Sequence, residues 1–198
     1  MRVIAGRLGG RRLRAPAGRT TRPTSERVRE AVFSMLGSVL DARVLDLFAG
    51  TGALGIEALS RGARAAVFVE RDGAAARALG ENLAALGIGA SAAEVRRVDA
   101  LAALRDASAR QETYDLVFID PPYAWPRPAP SDSALASGER RGAQLWALLP
   151  ALLRSGARVV VESDRRAPME LPGPGAGALA LERRRRYGDT SITIHRQQ

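Results

Sequence analysis

The sequence predicts a doubly wound α/β fold, in which helices cover both faces of a mostly parallel sheet. Short apolar runs alternate with helical patterns along most of the chain, as such a sheet requires. One stretch combines an apolar run, a glycine turn and the start of a helical pattern: Arg43-Val-Leu-Asp-Leu-Phe-Ala-Gly-Thr-Gly-Ala-Leu-Gly55. The helical pattern continues from there up to Gly62. The last two runs, 179–187 and 190–195, are joined through Gly188-Asp189, which predicts an antiparallel closing pair.

The first 22 residues are predicted to form a basic extension of a main domain that covers residues 23–198. Val3-Ile4-Ala5 and Leu13 lie on either side of Gly9-Gly10, and this arrangement predicts a small β-hairpin instead of a disordered arm.

A helix is predicted after this hairpin, with Thr24 as its N-cap. Arg27 and Arg29 fall outside its apolar stripe and are expected to face substrate. The stripe recurs at three- and four-residue spacing and predicts one face packed on the sheet: Val28, Ala31, Val32, Met35, Leu36, Val39 and Leu40.

The remaining elements follow from the same alternation of patterns. Residues 124–142, which are rich in Pro, Ala and Ser, are predicted to form a long loop. Further strands are predicted at 65–70, 94–98, 114–119 and 157–162, and further helices at 73–86, 100–110 and about 140–153.

The composition narrows the class of protein. No apolar run is long enough for a membrane span, and the first residues lack the apolar core of a signal peptide. The chain has no cysteine and one histidine, His195, so neither a disulfide framework nor a zinc or iron centre is expected. We therefore expect a cytoplasmic, metal-free protein, and nothing in the sequence requires more than a monomer.

Arginine dominates the charge of the chain. The formal net charge is +9, every basic residue is arginine, and residues 1–30 hold nine arginines against two glutamates. Genomic base composition also raises arginine content, but this concentration at one end predicts a nucleic-acid partner, because guanidinium groups bind phosphate oxygens. The residues expected to contact nucleic acid are Arg2, Arg7, Arg11, Arg12, Arg14, Arg22 and Arg27.

The glycine turn, Gly50-Thr-Gly52-Ala-Leu-Gly55, matches the G-x-G-x-x-G form of dinucleotide-binding folds. A P-loop is excluded because it needs a lysine, and the chain has none. Nicotinamide or flavin binding stays open at this point, as does an ordinary packed βα turn. Asp46 favours another ligand, since a carboxylate there repels a pyrophosphate but suits the ammonium and sulfonium groups of S-adenosylmethionine.

Four carboxylates end, or nearly end, four successive predicted strands: Asp46, Glu70, Asp99 and Asp120. The carboxyl ends of parallel strands lie along one edge of a sheet, where ligands bind. A single acid at a strand end is usually a helix cap or a solvated group, but four in succession predict a site. Glu70 is placed to accept hydrogen bonds from ribose hydroxyls, and Asp99 from the adenine amine.

The sequence Asp120-Pro-Pro-Tyr123 is the most specific chemical signal, although such a turn can also be purely structural. Its two prolines fix a stiff turn whose carbonyls stay available as acceptors. A carboxylate and a proline carbonyl can together accept both hydrogens of an exocyclic amine, while Tyr123 offers a face for a planar base. The nitrogen lone pair then points at the methyl carbon. The predicted catalytic residues are therefore Asp120, Pro121, Pro122 and Tyr123.

These motifs resemble the class I S-adenosylmethionine-dependent methyltransferases that act on amines. With Arg2-Val-Ile-Ala-Gly6, Gly9-Gly-Arg-Arg-Leu13 and Thr21-Arg-Pro-Thr-Ser-Glu-Arg-Val-Arg-Glu-Ala-Val-Phe33, they resemble the bacterial RsmD family. The resemblance implies a Rossmann-like sheet and methylation of N2 of one specific guanine in 16S ribosomal RNA, within a partly assembled small subunit. It also implies that the cofactor contacts Thr24, Asp46, Phe48, Ala49, Gly50, Thr51, Gly52, Glu70, Arg71, Asp99, Ala100 and Asp120.

Two other functions are compatible with the residues alone. A DNA adenine or cytosine amino-methyltransferase would use the same Asp-Pro-Pro-Tyr sequence, but the chain has no evident domain for reading a DNA sequence. A non-catalytic RNA-binding assembly factor could keep the fold, although the intact acidic strand ends argue against it.

Overall fold

The computed structural model describes residues 1–15, 25–122, 141–165, 169 and 179–198. Its strands are β1 (Arg43–Asp46), β2 (Ala65–Val69), β3 (Ala93–Arg96), β4 (Tyr114–Ile119), β5 (Leu153–Asp164), β6 (Leu179–Tyr187) and β7 (Thr190–Gln197). They form a seven-stranded sheet in the order β3-β2-β1-β4-β5-β7-β6. β1 to β5 are parallel, whereas β7 is antiparallel to β5 and β6. The predicted doubly wound sheet with an antiparallel closing pair is confirmed.

Helices cover both faces of this sheet. They are α1 (Glu26–Leu36), α2 (Ala53–Ser60), α3 (Gly73–Ala85) and α4 (Ala100–Ala109), and residues 141–148 form a further helical stretch that leads into a 3-10 turn at Leu149–Leu152. One apolar cluster packs α1, α2, α3 and the N-terminal residues on one face, and a second packs α4 and residues 145–152 on the other. No helix in the described part of the chain is long and apolar enough to cross a membrane.

The boundaries of α1 differ from the prediction at both ends. The N-cap is Ser25, whose hydroxyl accepts a backbone hydrogen bond of 3.2 Å from the first turn, whereas the expected cap, Thr24, lies outside the described residues. The helix ends at Leu36 because Gly37 adopts a φ of 69°. Leu40, which the helical spacing predicted to lie in the apolar stripe, therefore lies beyond the helix and is 68% exposed.

The expectation that Arg29 faces substrate is wrong, because its side chain is fully buried. The N-terminal hairpin covers this side of α1, and Arg29 Nη2 donates a hydrogen bond of 2.7 Å to the Arg2 carbonyl. Arg27, by contrast, is exposed as expected. Helical spacing alone could not reveal that a distant segment covers one of the two arginines.

The end of the domain also differs in detail from the prediction. The expected strand 157–162 is the centre of the longer β5, whose first residues were not recognised because Arg154, Ser155 and Gly156 interrupt the apolar pattern. Most of the predicted loop 124–142 lies outside the described residues, but residues 141 and 142 already belong to the helical stretch.

The N-terminal residues form the predicted hairpin and dock on α2. Arg2 and Arg12 form an antiparallel bridge, and Val3, Leu8 and Leu13 are buried. The amide of Arg7 donates to the carbonyl of Ser60 at 2.8 Å, and the amide of Leu8 donates to the Ser60 hydroxyl at 3.0 Å. The separation of the chain into an extension and a main domain stays a prediction.

The outermost strand on one side of the described sheet is β6, which carries four consecutive exposed arginines at positions 183–186. Arg183 and Arg185 lie opposite Ile194 and Ile192 of β7, so they share the face on which α1 packs. Since side chains alternate along a strand, Arg184 and Arg186 lie on the other face. This strand therefore presents positive charge on both of its faces.

We expect Gly55→Ala to destabilise the fold by roughly 1–3 kcal/mol, because a methyl group there overpacks the core. An added Cβ would lie 2.3 Å from Cε1 of Phe68, a ring that is completely buried. Urea unfolding measures the effect.

The matched control is Gly80→Ala in α3, where an added Cβ meets no atom within 4 Å. Removing an exposed helical glycine is expected to stabilise the fold by about 0.5–1 kcal/mol. Equal unfolding midpoints for the two variants would contradict the close contact between α2 and β2.

Candidate active site

The glycine turn connects β1 to α2 at the carboxyl edge of the sheet. The Ala49 amide donates to the Val69 carbonyl at 3.0 Å, which holds the start of the turn against β2. Gly52 has a φ of 84° and precedes α2, and an added Cβ there would lie 2.3 Å from Cδ1 of Leu79. Gly50 has a φ of 54°, but an added Cβ would meet nothing within 4 Å. Gly52 is therefore required by packing, whereas the space at Gly50 is open to a ligand.

Asp46 is the buried acid of the site. It ends β1, is 1% exposed, and accepts a hydrogen bond of 3.0 Å from the Gly55 amide through Oδ2. Burial raises the pKa of Asp46 to about 7; the Gly55 hydrogen bond opposes this rise, and the nearby charges of Asp120 and Glu70 add to it. The structure therefore brings the acids that end β1, β2 and β4 into one electrostatic cluster, as the sequence predicted.

Glu70 joins the turn to the end of β2. Its Oε2 accepts a hydrogen bond of 2.9 Å from the Gly50 amide, and its Oε1 accepts one of 2.7 Å from the Asp72 amide. Each carboxylate oxygen retains a second lone pair, so these bonds orient Glu70 without using all of its capacity to accept. Arg71, beside it, is exposed to solvent.

Asp99 lies three residues beyond β3 and is held from two directions. Its Oδ1 accepts a hydrogen bond of 3.0 Å from the Leu101 amide, which makes it the N-cap of α4. Its Oδ2 forms an ion pair of 2.6 Å with Arg141, and both side chains are partly exposed. Ala100 is buried as the first residue of α4. The sequence did not reveal Arg141, because no local pattern relates it to a residue 42 positions earlier.

The predicted catalytic turn is only partly described. Asp120 directly follows β4 and is half-buried, Pro121 is half-buried, and Pro122 is exposed. Tyr123 lies outside the described residues. Phe48 is partly buried against the core cluster on the α4 face of the sheet.

Six of the seven arginines expected to bind nucleic acid are exposed, and the seventh, Arg22, lies outside the described residues. Arg2 pairs with Glu26 at 3.0 Å, so part of its charge is already compensated. A cavity of about 300 Å³ lies between the hairpin and the start of α1, away from the carboxylate cluster, and its lining includes Arg2, Arg27 and Glu30. The lining also includes Glu26, so two glutamates balance the two arginines of this cavity. The six exposed residues are Arg2, Arg7, Arg11, Arg12, Arg14 and Arg27.

Asn82 is a site residue that sequence reasoning missed. Its Nδ2 donates a hydrogen bond of 3.1 Å to the Thr51 carbonyl in the glycine turn. A signal was present in α3, because Asn82 is the one polar residue on a buried face otherwise formed by alanine and leucine. A buried amide must find hydrogen-bond partners, which marks it as a residue that holds another segment.

An open glycine turn beside clustered carboxylates, at the carboxyl edge of this sheet, defines the class as a Rossmann-like S-adenosylmethionine-dependent methyltransferase. The chain belongs to the family described as Conserved hypothetical protein 95, whose model matches residues 1–196. This match, together with relatives named Ribosomal RNA small subunit methyltransferase D, confirms the resemblance to the RsmD family.

Relatives of known name support the same class. The chain is 39% identical over 201 residues to YlbH of Bacillus subtilis, which is provisionally named an rRNA methyltransferase, with 100% of both chains covered. It is 43% identical over 124 residues to Ribosomal RNA small subunit methyltransferase D of Escherichia coli, covering 62% of this chain and 60% of that protein.

Solved structures agree with the fold. The Escherichia coli methyltransferase yhhF, also a provisional name, has a TM-score of 0.77 and 33% identity, covering 100% of this chain and 98% of that one. The Thermus thermophilus 16S rRNA N2 G1207 methyltransferase (RsmC), in complex with AdoMet and guanosine, has a TM-score of 0.68 and 24% identity. It covers 92% of this chain and 44% of that one and supports the fold alone.

We expect Asp46→Asn to change how stability depends on pH. The folded-state pKa of about 7 lies above the ordinary value of 3.8, so the folded protein retains a proton that the unfolded chain releases between these pH values. The free energy of unfolding therefore falls as the pH rises through this window. The loss is at most about 1.4 kcal/mol for each unit by which the folded and unfolded pKa values of Asp46 differ. The asparagine retains an acceptor for the Gly55 amide and removes the titration.

Thermal unfolding without cofactor, between about pH 4 and pH 8, measures this effect. The variant is expected to be more stable than the wild type at about pH 8 and nearly equal to it at about pH 4. If the wild type were the more stable protein at the higher pH, hydrogen bonds and charges around Asp46 would have to stabilise its ionised carboxylate enough to offset the cost of burial.

Proposed function

We propose that this methyltransferase transfers the methyl group of S-adenosylmethionine to the exocyclic N2 amine of a guanine in 16S ribosomal RNA. The observation that carries the proposal is the buried Asp46 carboxylate at the glycine turn, with the Glu70 carboxylate bonded to the Gly50 amide, since acids beside an open turn favour a cationic ligand. Relatives named rRNA small subunit methyltransferase D support the choice of substrate.

In this proposal the cofactor lies along the carboxyl ends of β1, β2 and β3. Ionised Asp46 attracts the ammonium group, and binding of this cation lowers the pKa that burial has raised. Glu70, already oriented by two amides, accepts from the ribose, and Asp99 accepts from the adenine amine. The turn from Phe48 to Gly52 supplies the backbone surface on which the cofactor lies. Thr24, Arg71 and Ala100 complete the proposed set of cofactor contacts.

The target amine binds at the end of β4. S-adenosylmethionine supplies an activated methyl group on a sulfonium that leaves as a neutral thioether. The protein positions the nucleophile: the Asp120 carboxylate and a proline carbonyl accept the two amine hydrogens, and Tyr123 stacks on the base. As the N–C bond forms and the C–S bond breaks, the nitrogen becomes positive. In this proposal Asp120 stabilises that charge and receives the proton that the product amine must lose.

The arginine-rich hairpin and the start of α1 form the proposed RNA-binding surface. Their six described arginines are exposed, and nucleic-acid affinity depends on such contacts with phosphates. The proposal extends to a partly assembled small subunit as substrate, to a monomeric enzyme and to a cytoplasmic setting. Methylation assays on free RNA, on subunit particles and on DNA, with nucleoside analysis, test the proposal: N2-methylguanine in RNA supports it, whereas methylated adenine or cytosine in DNA contradicts it.

We expect Asp120→Ala to lower the rate of methyl transfer by roughly two to four orders of magnitude, because the positioned acceptor is lost. Single-turnover assays with labelled cofactor measure the rate, and calorimetry measures cofactor affinity separately. A rate near that of the wild type, with cofactor affinity unchanged, would remove Asp120 from the reaction.

We expect RNA binding to depend steeply on salt. If about five arginines contact phosphates, the logarithm of the binding constant falls against the logarithm of salt concentration with a slope of about −4. Arg7→Gln/Arg12→Gln is expected to reduce this slope by about 2. Fluorescence anisotropy with a labelled RNA measures it.

The control for the salt experiment is Arg64→Gln/Arg110→Gln, which removes two exposed arginines at the amino edge of the sheet. This variant is expected to retain the wild-type slope. An equal loss in both double variants would mean that net charge, and not the hairpin surface, determines RNA affinity.

A further inference from the structure

Asn82 connects the N-terminal segment to the glycine turn through three hydrogen bonds. Its side chain is 1% exposed. Oδ1 accepts a bond of 2.7 Å from the Arg14 amide, while Nδ2 donates one of 3.1 Å to the Arg14 carbonyl and another of 3.1 Å to the Thr51 carbonyl. One buried amide therefore orders both the backbone of the basic segment and the backbone of the turn.

Arg29 makes a second connection between the same two segments. Its Nη2 donates to the Arg2 carbonyl at 2.7 Å, and its Nη1 approaches the Ala53 carbonyl at 3.5 Å. Its Nη1 also lies 3.8 Å from Oε2 of Glu57, and both of these side chains are fully buried. The two oxygens of Glu57 accept bonds of 2.7 Å and 3.0 Å from the amides of Ile4 and Ala5.

The two connections reach residues on either side of Gly52, which is the centre of the proposed cofactor turn. Thr51 precedes Gly52 and Ala53 follows it, so both flanking carbonyls are bonded to side chains that also hold the N-terminal segment. A buried polar group that loses its partner is left without a hydrogen bond away from water, which is unfavourable. Displacement of the segment therefore removes support from the turn, and order in one favours order in the other.

We propose that Asn82 and Arg29 are positioning residues that couple cofactor binding at the glycine turn to RNA binding at the N-terminal segment. This inference rests on the proposed function, because it assumes that RNA contacts the hairpin arginines. Phosphates that bind Arg11, Arg12 and Arg14 restrain the backbone to which Asn82 is bonded. Asn82 then holds the Thr51 carbonyl in the arrangement that receives the cofactor. Such coupling is reciprocal, so the cofactor strengthens RNA binding by the same factor.

The experiment compares the dissociation constant of S-adenosylmethionine, measured by calorimetry, with and without a saturating RNA fragment that the wild type methylates. For the wild type we expect RNA to tighten cofactor binding about fivefold or more. For Asn82→Ala we expect this ratio to fall to about 1, with weaker cofactor binding in the absence of RNA. In steady-state assays the variant raises the KM for cofactor several-fold, while kcat at saturation stays within about threefold.

The matched control is Glu81→Ala, the neighbouring position on α3. Glu81 is exposed and its carboxylate lies 3.7 Å from the Arg14 guanidinium, so it contacts the same segment. The control is expected to keep the wild-type coupling ratio. Circular dichroism establishes that each variant is folded, and Asn82→Ser replaces Asn82→Ala if the alanine variant is not. The serine hydroxyl is too short to bridge both segments, so it is also expected to lose the coupling.

The outcomes separate this inference from the proposed function. A wild-type ratio within about twofold of unity, in an enzyme that methylates the RNA, overturns the coupling and leaves the function intact. If a folded Asn82 variant keeps the wild-type ratio of cofactor dissociation constants without and with RNA, the coupling is also overturned and the function is left intact. A wild type that neither binds the cofactor nor methylates RNA overturns the proposed function, and the coupling with it.

Discussion

The site depends on a carboxylate that is kept out of water. Asp46 ends β1 with 1% exposure, and an ionised carboxylate in such a place costs free energy unless a positive charge or hydrogen bonds compensate it. The Gly55 amide compensates it in part, and the close packing of α2 on β2 keeps that amide in position. In the proposed function, the cationic cofactor supplies the remaining compensation. Part of its binding energy would then come from relieving this unfavourable buried charge.

The sequence predicted the sheet and the acids at its carboxyl edge because both depend on local patterns. Apolar runs alternate with helices, and an acid at the end of each run marks the carboxyl edge in a parallel arrangement. The electrostatic grouping of Asp46, Glu70 and Asp120 follows from that geometry. The glycine turn was recognised for a similar reason, since positive φ values at Gly50 and Gly52 require the residue type that the sequence shows there.

The contacts that connect distant segments could not be predicted. Arg29 was expected to face substrate, yet it lies beneath the hairpin and is bonded to a carbonyl 27 positions earlier. Asn82 joins Arg14 and Thr51, and Arg141 pairs with Asp99. Each of these side chains is placed by tertiary packing, and several of the partners are backbone carbonyls, which every residue possesses. Neither periodicity nor residue type can identify such a partner from a single sequence.

The arginines of β6 have a consequence for self-association. In the described sheet this strand is outermost, and an outer strand offers a row of backbone donors and acceptors on which another chain can add a strand. Two copies joined in this way would place their strand backbones about 5 Å apart and bring rows of guanidinium groups side by side, where like charges repel. Pairing of two copies along this border is thereby disfavoured.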